Sequence, residues 1–293
     1  WKLMDTQDIQ LLMTLHRTSN ITRTAEELYT TQSSVSKRIR QLEKELGIIL
    51  VLRSRLGIQF TPAGEIVLRH IRAITRELTS MNQELNDTQG IISGTLRIGV
   101  SINYAMYRLP PILRRYQECY PLVHTQTIIE VSQKIYSMFI AGQMELAVVR
   151  GEYSDWDGPR MLLGREPICV ITCRAHEHLP LDELPQVIRK ADTEMERDTA
   201  LWRREHKIPT AKNQVFANST ATCIEMVRQG LGWGIVPEIC LAHFDGCIRP
   251  MRFADGRPLR RSTYLLYTEQ TAALPQIRAF IDLLAETKEN QNL

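Results

Sequence analysis

A run of small polar and basic residues between positions 32 and 40 has side chains of the kinds that bind nucleic acid. Helical spacing predicts that its exposed members are Gln32, Ser33, Ser34, Ser36, Lys37, Arg38 and Arg40. Glutamine can pair with adenine through two hydrogen bonds, and arginine or lysine can reach guanine or phosphate. Short hydroxyl side chains at a helix N-terminus allow close approach of phosphate, and the free N–H groups there favour an anion. Because residues 32–42 contain no carboxylate, this face predicts contact with a nucleic acid rather than an ordinary solvated helix.

A second basic feature follows at residues 53–57, where Arg53 and Arg55 lie between two short apolar runs, 48–52 and 58–60. This pattern predicts a small β-hairpin with a basic tip. Residues 17–61 contain eight basic and four acidic residues, a net charge of +4 in a chain whose total is +3. Such asymmetry is typical of a module that faces a polyanion, although a solvated charged surface explains the charge alone equally well.

Three short helices are predicted to position these side chains. Asp5 caps the first helix, and Thr22 caps a second one over residues 22–29. Thr31 caps the third, which covers residues 32–46. The third helix has an apolar stripe at helical spacing, formed by Val35, Ile39, Leu42 and Leu46.

A long helix is predicted over residues 62–89, where apolar residues recur at alternating spacings of four and three. These residues are Val67, Ile71, Ile74, Leu78, Met81 and Leu85. The pattern is a heptad seam, and the helix would be about 40 Å long at about 1.5 Å per residue. Because its other face is polar, the helix is expected to pair with a second copy of the chain rather than to pack only on its own domain.

From Thr95 onward, strand patterns alternate with helix patterns, which predicts a largely parallel, doubly wound α/β sheet. The predicted strands cover residues 96–100, 125–131, 145–149, 167–172 and 264–267. The predicted helices cover residues 108–120, 133–141, 182–190, 219–229 and 276–288.

Motifs of catalytic and metal sites are incomplete in this chain. The segment Gly99-Val100-Ser101-Ile102-Asn103 lacks the second glycine that a nucleophile elbow needs for its sharp turn. His176 and His178 are two residues apart, whereas two zinc ligands share a helix face when they are four apart. We therefore predict no enzymatic activity, no metal and no cofactor.

Composition and length set further bounds on the protein. The 293 residues suggest about two domains, and 43% hydrophobic with 24% charged residues is ordinary for a globular protein. No run approaches the about 18 apolar residues of a membrane span, and the first residues lack the apolar segment of a signal peptide. These features predict a cytoplasmic protein whose six cysteines are reduced, although Cys240 and Cys247 flank a loop and could meet.

The N-terminal motifs resemble those of the LysR-type transcriptional regulators. The matching segments are Thr24-Ala25-Glu26-Glu27-Leu28, Thr31-Gln32-Ser33-Ser34-Val35-Ser36-Lys37-Arg38-Ile39, Leu42-Glu43-Lys44-Glu45-Leu46-Gly47 and Phe60-Thr61-Pro62-Ala63-Gly64. Residues 226–237 are similar to a late hinge motif of the family, so the resemblance spans the chain. The family usually has alanine at position 24, proline at 33 and phenylalanine at 51, and the residues found here are variations in packing or capping.

The resemblance implies a winged helix-turn-helix domain over 1–61, a linker and dimerisation helix over 62–92, and an effector-binding domain over 93–293. The last is similar to periplasmic solute-binding proteins, with one subdomain of 93–164 plus 268–293 and another of 165–267. The implied function is sequence-specific, DNA-binding regulation of transcription that a small molecule in the cleft modulates. The alternative is a solute-binding or enzymatic α/β protein with an incidental helical N-terminus, which a salt titration on duplex DNA would distinguish.

The resemblance also implies which residues bind DNA and the effector. The implied DNA contacts are Gln32, Ser33, Ser34, Ser36, Lys37, Arg38, Arg53 and Arg55. The implied effector contacts, at strand ends and helix starts, are Ser101, Ile102, Asn103, Val131, Ser132, Arg150, Trp202, Ser219 and Thr220. Arg150 is either a charged anchor or a residue that points to solvent, and the set indicates a small polar or anionic ligand.

The partners implied are promoter double-stranded DNA, a second copy through the 62–89 helix, a homotetramer and RNA polymerase, with no membrane. A peroxide or thiol sensor is a further alternative within the same fold. The peroxide-sensing members carry a cysteine pair before the helix at Ser219, and residues 198–218 contain no cysteine, which disfavours it.

Overall fold

A computed structural model of the chain describes residues 4–54, 57–87, 92–189, 192–210 and 213–291. The chain divides into two compact units, and the N-terminal unit comprises the chain up to Glu84 together with Ala141–Gln143. Within the described ranges, no helix is both long and apolar enough to cross a membrane.

The N-terminal unit has the three helices and the hairpin that the sequence predicts. Its elements are α1 (Thr6–Thr18), α2 (Ile21–Glu27), α3 (Gln32–Leu46), β1 (Val51–Ser54), β2 (Gly57–Phe60) and α4 (Pro62–Asp87). Leu12 and Leu15 of α1, Ile39 and Leu42 of α3, and Leu68 of α4 are fully buried in one core. The predicted winged helix-turn-helix is therefore confirmed.

Helix caps decide where these helices begin. The Thr31 hydroxyl accepts a hydrogen bond from the Ser34 N–H at 3.2 Å, as predicted for α3. The prediction that Thr22 caps the second helix is wrong, because Asn20 takes that place. Asn20 is extended, and its side-chain oxygen accepts from the Arg23 N–H at 3.1 Å. Asparagine is at least as good as threonine in this role, so α2 begins one residue earlier than predicted.

The hairpin pairs Val51 with Phe60 and Ser54 with Gly57. The first strand starts later than the predicted run of 48–52. The reason is that the Glu43 carboxylate of α3 accepts hydrogen bonds from the N–H groups of Leu50 (2.9 Å) and Val51 (3.3 Å). The N–H groups of Ile48 and Leu50, both before β1, are thus bonded to Glu43 of α3, while the Leu50 carbonyl accepts from the Thr61 N–H.

The apolar seam of α4 divides into two parts. Ile71 is buried in the N-terminal core, and Val67 packs against that core. Ile74, Leu78 and Met81 remain 51%, 52% and 51% exposed. The side chain of Leu85 lies outside the described residues. The middle of the seam is therefore an apolar helix face without a cover in this single chain.

In the described part of the C-terminal unit, nine strands form one sheet. They are β3 (Gly94–Ser101), β4 (Val123–Glu130), β5 (Leu146–Arg150), β6 (Arg160–Thr172), β7 (Gln186–Arg189), β8 (Gln214–Ala217), β9 (Trp233–Pro237), β10 (Cys247–Pro250) and β11 (Arg260–Leu266). The helices are α5 (Ile102–Tyr107), α6 (Leu109–Cys119), α7 (Ser132–Ile140), α8 (Thr193–Glu205), α9 (Thr220–Arg228), α10 (Glu269–Ala272) and α11 (Pro275–Gln291).

The sheet is mixed, so the prediction of a largely parallel sheet is wrong. Its order is β4-β3-β5-β11-β6-β9-β7-β8, and β10 pairs with β6. β3 is parallel to β4 and β5, and β7 is parallel to β8 and β9. Between these parallel sets, β11 and β6 run antiparallel to their neighbours. We term the β3–β5 side the first lobe and the β7–β9 side the second lobe.

The prediction fails at several elements of the second lobe, including β8, which was not predicted. The helix predicted over residues 182–190 is wrong, since 186–189 form β7. Pro185 precedes this strand and has no N–H for a helical turn, and its carbonyl instead accepts from the Trp233 N–H at 3.0 Å. Helix α8 was not predicted, because its sequence is mostly charged and lacks a regular apolar stripe.

Candidate DNA-binding face and effector cleft

The N-terminal half of α3 presents the polar face that the sequence predicts. Gln32, Ser33, Ser34 and Lys37 are exposed, and Ser36 is partly buried. The hydroxyl of Thr31 lies 3.0 Å from that of Ser33 and 2.8 Å from that of Ser34. These contacts order the hydroxyl groups around the start of the helix, where its free N–H groups also lie.

Arg38 differs from its neighbours on this face because it is bound within the protein. Its guanidinium donates two hydrogen bonds to the Asp8 carboxylate, from Nε and from Nη2, both at 2.5 Å. The side chain of Asp8 is 1% exposed, and it also accepts from the Asp5 N–H at 2.9 Å. Burial alone would raise the pKa of Asp8, but hydrogen bonds to Arg38 and Asp5 outweigh it and hold that pKa below its usual value. Arg38 therefore ties α3 to α1.

A residue that the sequence reasoning missed lies in the turn between α2 and α3. Tyr29 is 98% exposed and has a φ of 52°, a left-handed backbone conformation that residues other than glycine seldom adopt. The Thr30 N–H donates to the Ala25 carbonyl at 2.9 Å and holds the turn. The one sequence signal for Tyr29 is its position just after a helix end, where left-handed residues are common.

The basic hairpin tip is incompletely described. The backbone of Arg53 pairs with Ile58 in the hairpin. The side chain of Arg53, and the whole of Arg55, lie outside the described residues. Their predicted DNA contacts remain predictions.

The predicted effector residues of the first lobe follow the carboxyl ends of its three parallel strands. Ser101 ends β3 and is buried, while Ile102 is exposed and Asn103 partly so. Val131 and Ser132 follow β4, and the Ser132 hydroxyl accepts from the Arg150 N–H at 3.1 Å. The first residue of α7, which follows β4, thus contacts the last residue of β5, and β3 lies between β4 and β5 in the sheet.

Arg150 does not point to solvent. Its side chain is 11% exposed, and its Nη2 donates to Oε2 of Glu166 on β6, itself 17% exposed, at 3.1 Å. Burial lowers the pKa of Arg150 and raises that of Glu166, although each partner's charge opposes the effect of burial. Glu166 is absent from the sequence prediction, because β11 separates its strand from β5 in the sheet and no local spacing connects them.

Two further arginines lie in the neighbourhood of this pair. Arg261, on β11, is the register partner of Glu166 and binds Asp192 at 2.6 Å and Glu194 near the start of α8. The charges of Arg261 and Arg189, at the end of β7, contribute to the lowered pKa of Arg150. Charged groups of both signs thus surround the strand ends.

In the second lobe, Ser219 and Thr220 begin α9. The Ser219 hydroxyl accepts from the Thr222 N–H at 3.0 Å and caps the helix, while Thr220 is buried. Trp202 is not among the residues brought together at the strand ends. It is buried on α8, stacks on His206 at 4.9 Å between ring centroids, and lines an apolar cavity of about 300 Å³ with Leu181 and other residues.

The two lobes meet where their strands end. Helix α5, which follows β3, contacts the short 3-10 helix Glu238–Leu241, which follows β9. We term the region between the carboxyl ends of β3–β5 and those of β7–β9 the effector cleft. It contains Ser101, Ser132 and Arg150 from the predicted set.

The cysteine side chains of the described residues are free thiols, and three of them are buried. All six cysteines are free, including Cys240 and Cys247. Burial raises the pKa of Cys240 to about 12 and those of Cys169 and Cys223 to about 11, which keeps these thiols protonated at neutral pH. No group of three or more His, Cys, Asp or Glu side chains in the described part is placed to hold a metal ion.

Both units match known protein families. Residues 6–65 match the bacterial regulatory helix-turn-helix proteins of the lysR family, and residues 89–289 match the LysR substrate binding domain. The chain is 32% identical to the uncharacterized HTH-type transcriptional regulator YraN of Bacillus subtilis, over 96% of this chain and 97% of that protein. It is 25% identical to the HTH-type transcriptional activator CmpR of Synechocystis, over 94% and 93% of the two chains.

Solved structures share the fold. A full-length OxyR variant from Pseudomonas aeruginosa aligns with a TM-score of 0.70 at 19% identity, over 97% of this chain and 94% of that one. Full-length CbnR in complex with its target DNA aligns with a TM-score of 0.63 at 16% identity, over 97% and 99% of the two chains. The chain therefore belongs to the LysR family of DNA-binding transcriptional regulators, with an N-terminal helix-turn-helix and a C-terminal effector-binding domain.

Proposed function

We propose that the N-terminal half of α3 reads an operator sequence and that a small molecule in the effector cleft modulates this binding. The observation that carries the proposal is the exposed, carboxylate-free face of α3. Gln32 is placed to contact a base edge, while Ser33, Ser34, Ser36 and Lys37 contact phosphate or bases. Arg53 and Arg55 of the hairpin extend the contact to phosphate or the minor groove. Arg38 acts as a positioning residue through Asp8 rather than as a direct contact.

The regulator acts as a dimer through α4, and two dimers form a tetramer on a promoter with two sites. The exposed run of Ile74, Leu78 and Met81 supports the first interface, since a second copy would bury it. Replacement of Leu78 by aspartate should dissociate the dimer at micromolar concentration in sedimentation velocity. Leu122→Asp, an exposed leucine outside α4, is the matched control and should leave the dimer intact.

The effector changes operator affinity by binding one arrangement of the lobes better than the other. A ligand with equal affinity for both arrangements would not change the equilibrium between them. The proposal therefore requires ligand contacts from both sides of the cleft. We assign the protein to the cytoplasm, with RNA polymerase as the further partner at the promoter. No catalytic step and no resident cofactor are part of the proposal.

Operator selection from random duplexes, followed by fluorescence anisotropy, tests the DNA-binding part. The selected duplex should bind at least about 10³-fold more tightly than random duplex, with an affinity that falls steeply as salt rises. Lys37→Ala should lower the slope of log K against log salt by about one. Lys44→Ala, on the last turn of the same helix, is the matched control. Equal affinity of Lys37→Ala and wild type at every salt concentration would refute the assignment of the α3 face.

A further inference from the structure

An apolar cavity in the second lobe lies outside the effector cleft. It has a volume of about 300 Å³, and we term it the α8 cavity because Trp202 of α8 forms part of its wall. None of its lining residues ends one of the strands β3, β4, β5, β7 or β9, so the cavity is separate from the cleft. The residues that line it are Val170, Leu181, Trp202, His206, Ile208, Arg249, Pro250 and Met251.

The wall of the α8 cavity is apolar and is built into the core of the second lobe. Trp202, Val170 and Met251 are 6%, 2% and 1% exposed and belong to one buried cluster. Leu181 and Ile208 pack against the same cluster. Apolar space of about 150 Å³ is enough to hold benzene. The α8 cavity therefore has room for an apolar body of about six to ten carbon atoms, whose burial favours binding.

A positive charge accompanies this apolar wall. Arg249 is the register partner of Val170 in the antiparallel pair of β10 and β6, so the two side chains leave the sheet on the same face. Arg249 is exposed, and within the described part of the chain its guanidinium takes part in no hydrogen bond or ion pair. None of the residues that line the cavity is acidic. Because a guanidinium matches a carboxylate through two parallel hydrogen bonds, the cavity favours a carboxylate.

Other arginines of the same lobe are bound within the protein. Arg252 donates to the Gly256 carbonyl at 3.2 Å, and Arg174 donates to the Asp245 carbonyl at 2.7 Å. Arg249 differs from these two because all of its donors remain available to a ligand.

We propose that the α8 cavity binds a small carboxylic acid with an apolar body, which packs on Trp202 and Met251 while its carboxylate pairs with Arg249. This site goes beyond the proposed function, because it lies outside the effector cleft and needs no operator. An alcohol with the same body would leave Arg249 without an ion pair, and a short acid would leave the apolar wall uncovered. Aliphatic and aromatic acids share the required chemistry, and their separate titration distinguishes them.

Calorimetric and thermal-shift titrations of the full-length wild-type chain test the ligand class. The probes are octanoate and phenylpropanoate, the alcohols octanol and phenylpropanol that lack the carboxylate, and acetate, which lacks the apolar body. At about 100 times its dissociation constant, at least one of the two larger acids should raise the melting temperature by about 3 °C or more. The corresponding alcohol and acetate should each bind at least about tenfold more weakly.

Variants test whether the acid lies in the α8 cavity. Arg249→Gln should raise the dissociation constant of the acid at least about tenfold and leave that of the alcohol unchanged, because only the acid loses an ion pair. Arg252→Gln, at an exposed arginine that does not line the cavity, is the matched control and should bind the acid as the wild type does. Leu181→Trp should fill the cavity and weaken both the acid and the alcohol. If Leu181→Trp unfolds, the variant of the exposed Arg249 still decides the question.

The absence of binding by both larger acids would overturn the proposal, as would tighter binding of an alcohol than of its acid. Equal affinity of Arg249→Gln and wild type for the acid would place the acid outside the α8 cavity and overturn the site. Operator binding is measured without the acid on the same preparations, so a failure of this inference and a failure of the proposed function are distinguishable.

Discussion

Two arginine–carboxylate pairs, one in each unit, occupy positions that the sequence assigns to binding, yet their surroundings differ. In the N-terminal unit, Asp8 accepts two hydrogen bonds from Arg38 and a third from the Asp5 N–H. In the C-terminal unit, Arg150 donates one hydrogen bond to Glu166 and keeps a buried Nε without a described partner. The first pair is a finished structural link, whereas the arginine of the second pair keeps one buried donor unpaired within the described residues.

Residue type and position alone therefore do not identify a binding residue. Arg38 lies on the predicted DNA-binding face of α3, yet its guanidinium is bound to Asp8 of α1. Arg150 lies at a strand end, and its buried Nε has no hydrogen-bond partner among the described residues.

The largest effect is expected when the finished pair is broken. Asp8→Ala should lower the free energy of unfolding of the N-terminal unit by about 3 kcal/mol, since it removes the charged hydrogen bonds of Arg38 and the capping box with Asp5. Hydrogen exchange of the α1 and α3 amides measures the loss. Glu26→Ala, at an exposed residue of α2, is the control. Unchanged exchange in Asp8→Ala would show that the pair does not hold the two helices together.

As pH falls, the carboxylates of the two pairs should become protonated in a defined order. The pKa of Asp8 is lowered, so its stabilisation is complete above its unfolded pKa of about 4 and is lost as pH falls through the lower folded pKa. The pKa of Glu166 is raised, so it becomes protonated and neutral at a higher pH than an ordinary glutamate. Carboxyl NMR titrations between pH 7.5 and 3.5 should show Glu166 becoming protonated before the amides of α1 and α3 lose protection from hydrogen exchange. The reverse order would contradict the contrast.

A smaller effect is expected at the α3 face. Ser36→Ala should weaken operator binding by about 1 kcal/mol, roughly fivefold to tenfold, and leave the melting temperature unchanged. Arg53→Ala should also weaken operator binding without unfolding the protein.

Arg38→Ala should lower both operator affinity and stability, because Arg38 acts through its link to Asp8. Ser137→Ala, on α7, is a matched serine control. A stability loss in Ser36→Ala equal to that in Arg38→Ala would remove the distinction between contact and link.

The smallest effect concerns the turn before α3. Tyr29→Gly should raise the free energy of unfolding by about 1 kcal/mol, because glycine adopts the positive φ of this position without the strain of a Cβ atom. Tyr120→Gly, at a residue with negative φ, should destabilise instead and serves as the control. Chemical denaturation of both variants measures the difference. Destabilisation by Tyr29→Gly would mean that the ring makes contacts that outweigh the strain.

Local patterns predicted the elements of the N-terminal unit well. The stripe of Val35, Ile39 and Leu42 and the Thr31 cap depend on residues a few positions apart, and spacing reveals such relations directly. Asp8 and Arg38 are 30 residues apart, so their link could not be read from spacing. Asn20 and Thr22 are both good cap residues and lie two positions apart, so the pattern alone did not decide between them.

The C-terminal unit was harder to predict because its site depends on strand order. Arg150 meets Glu166 only because β11 returns from the second lobe and pairs antiparallel with both β5 and β6. The β7 segment has too short an apolar pattern to distinguish strand from helix, and its pairing with β8 and β9 decides the outcome. Trp202 was predicted to be an effector contact, but α8 places it in a separate apolar cavity.

We propose that a small molecule in the cleft controls how tightly the helix-turn-helix binds its operator. Anisotropy of the selected operator duplex tests this with wild type and Arg150→Gln, each with and without the polar or anionic metabolite that raises the melting temperature of the wild type most. We expect a change of at least about fivefold in the wild-type operator dissociation constant and no change in that of Arg150→Gln. A metabolite that binds the wild type but leaves its operator affinity unaltered would contradict the proposal.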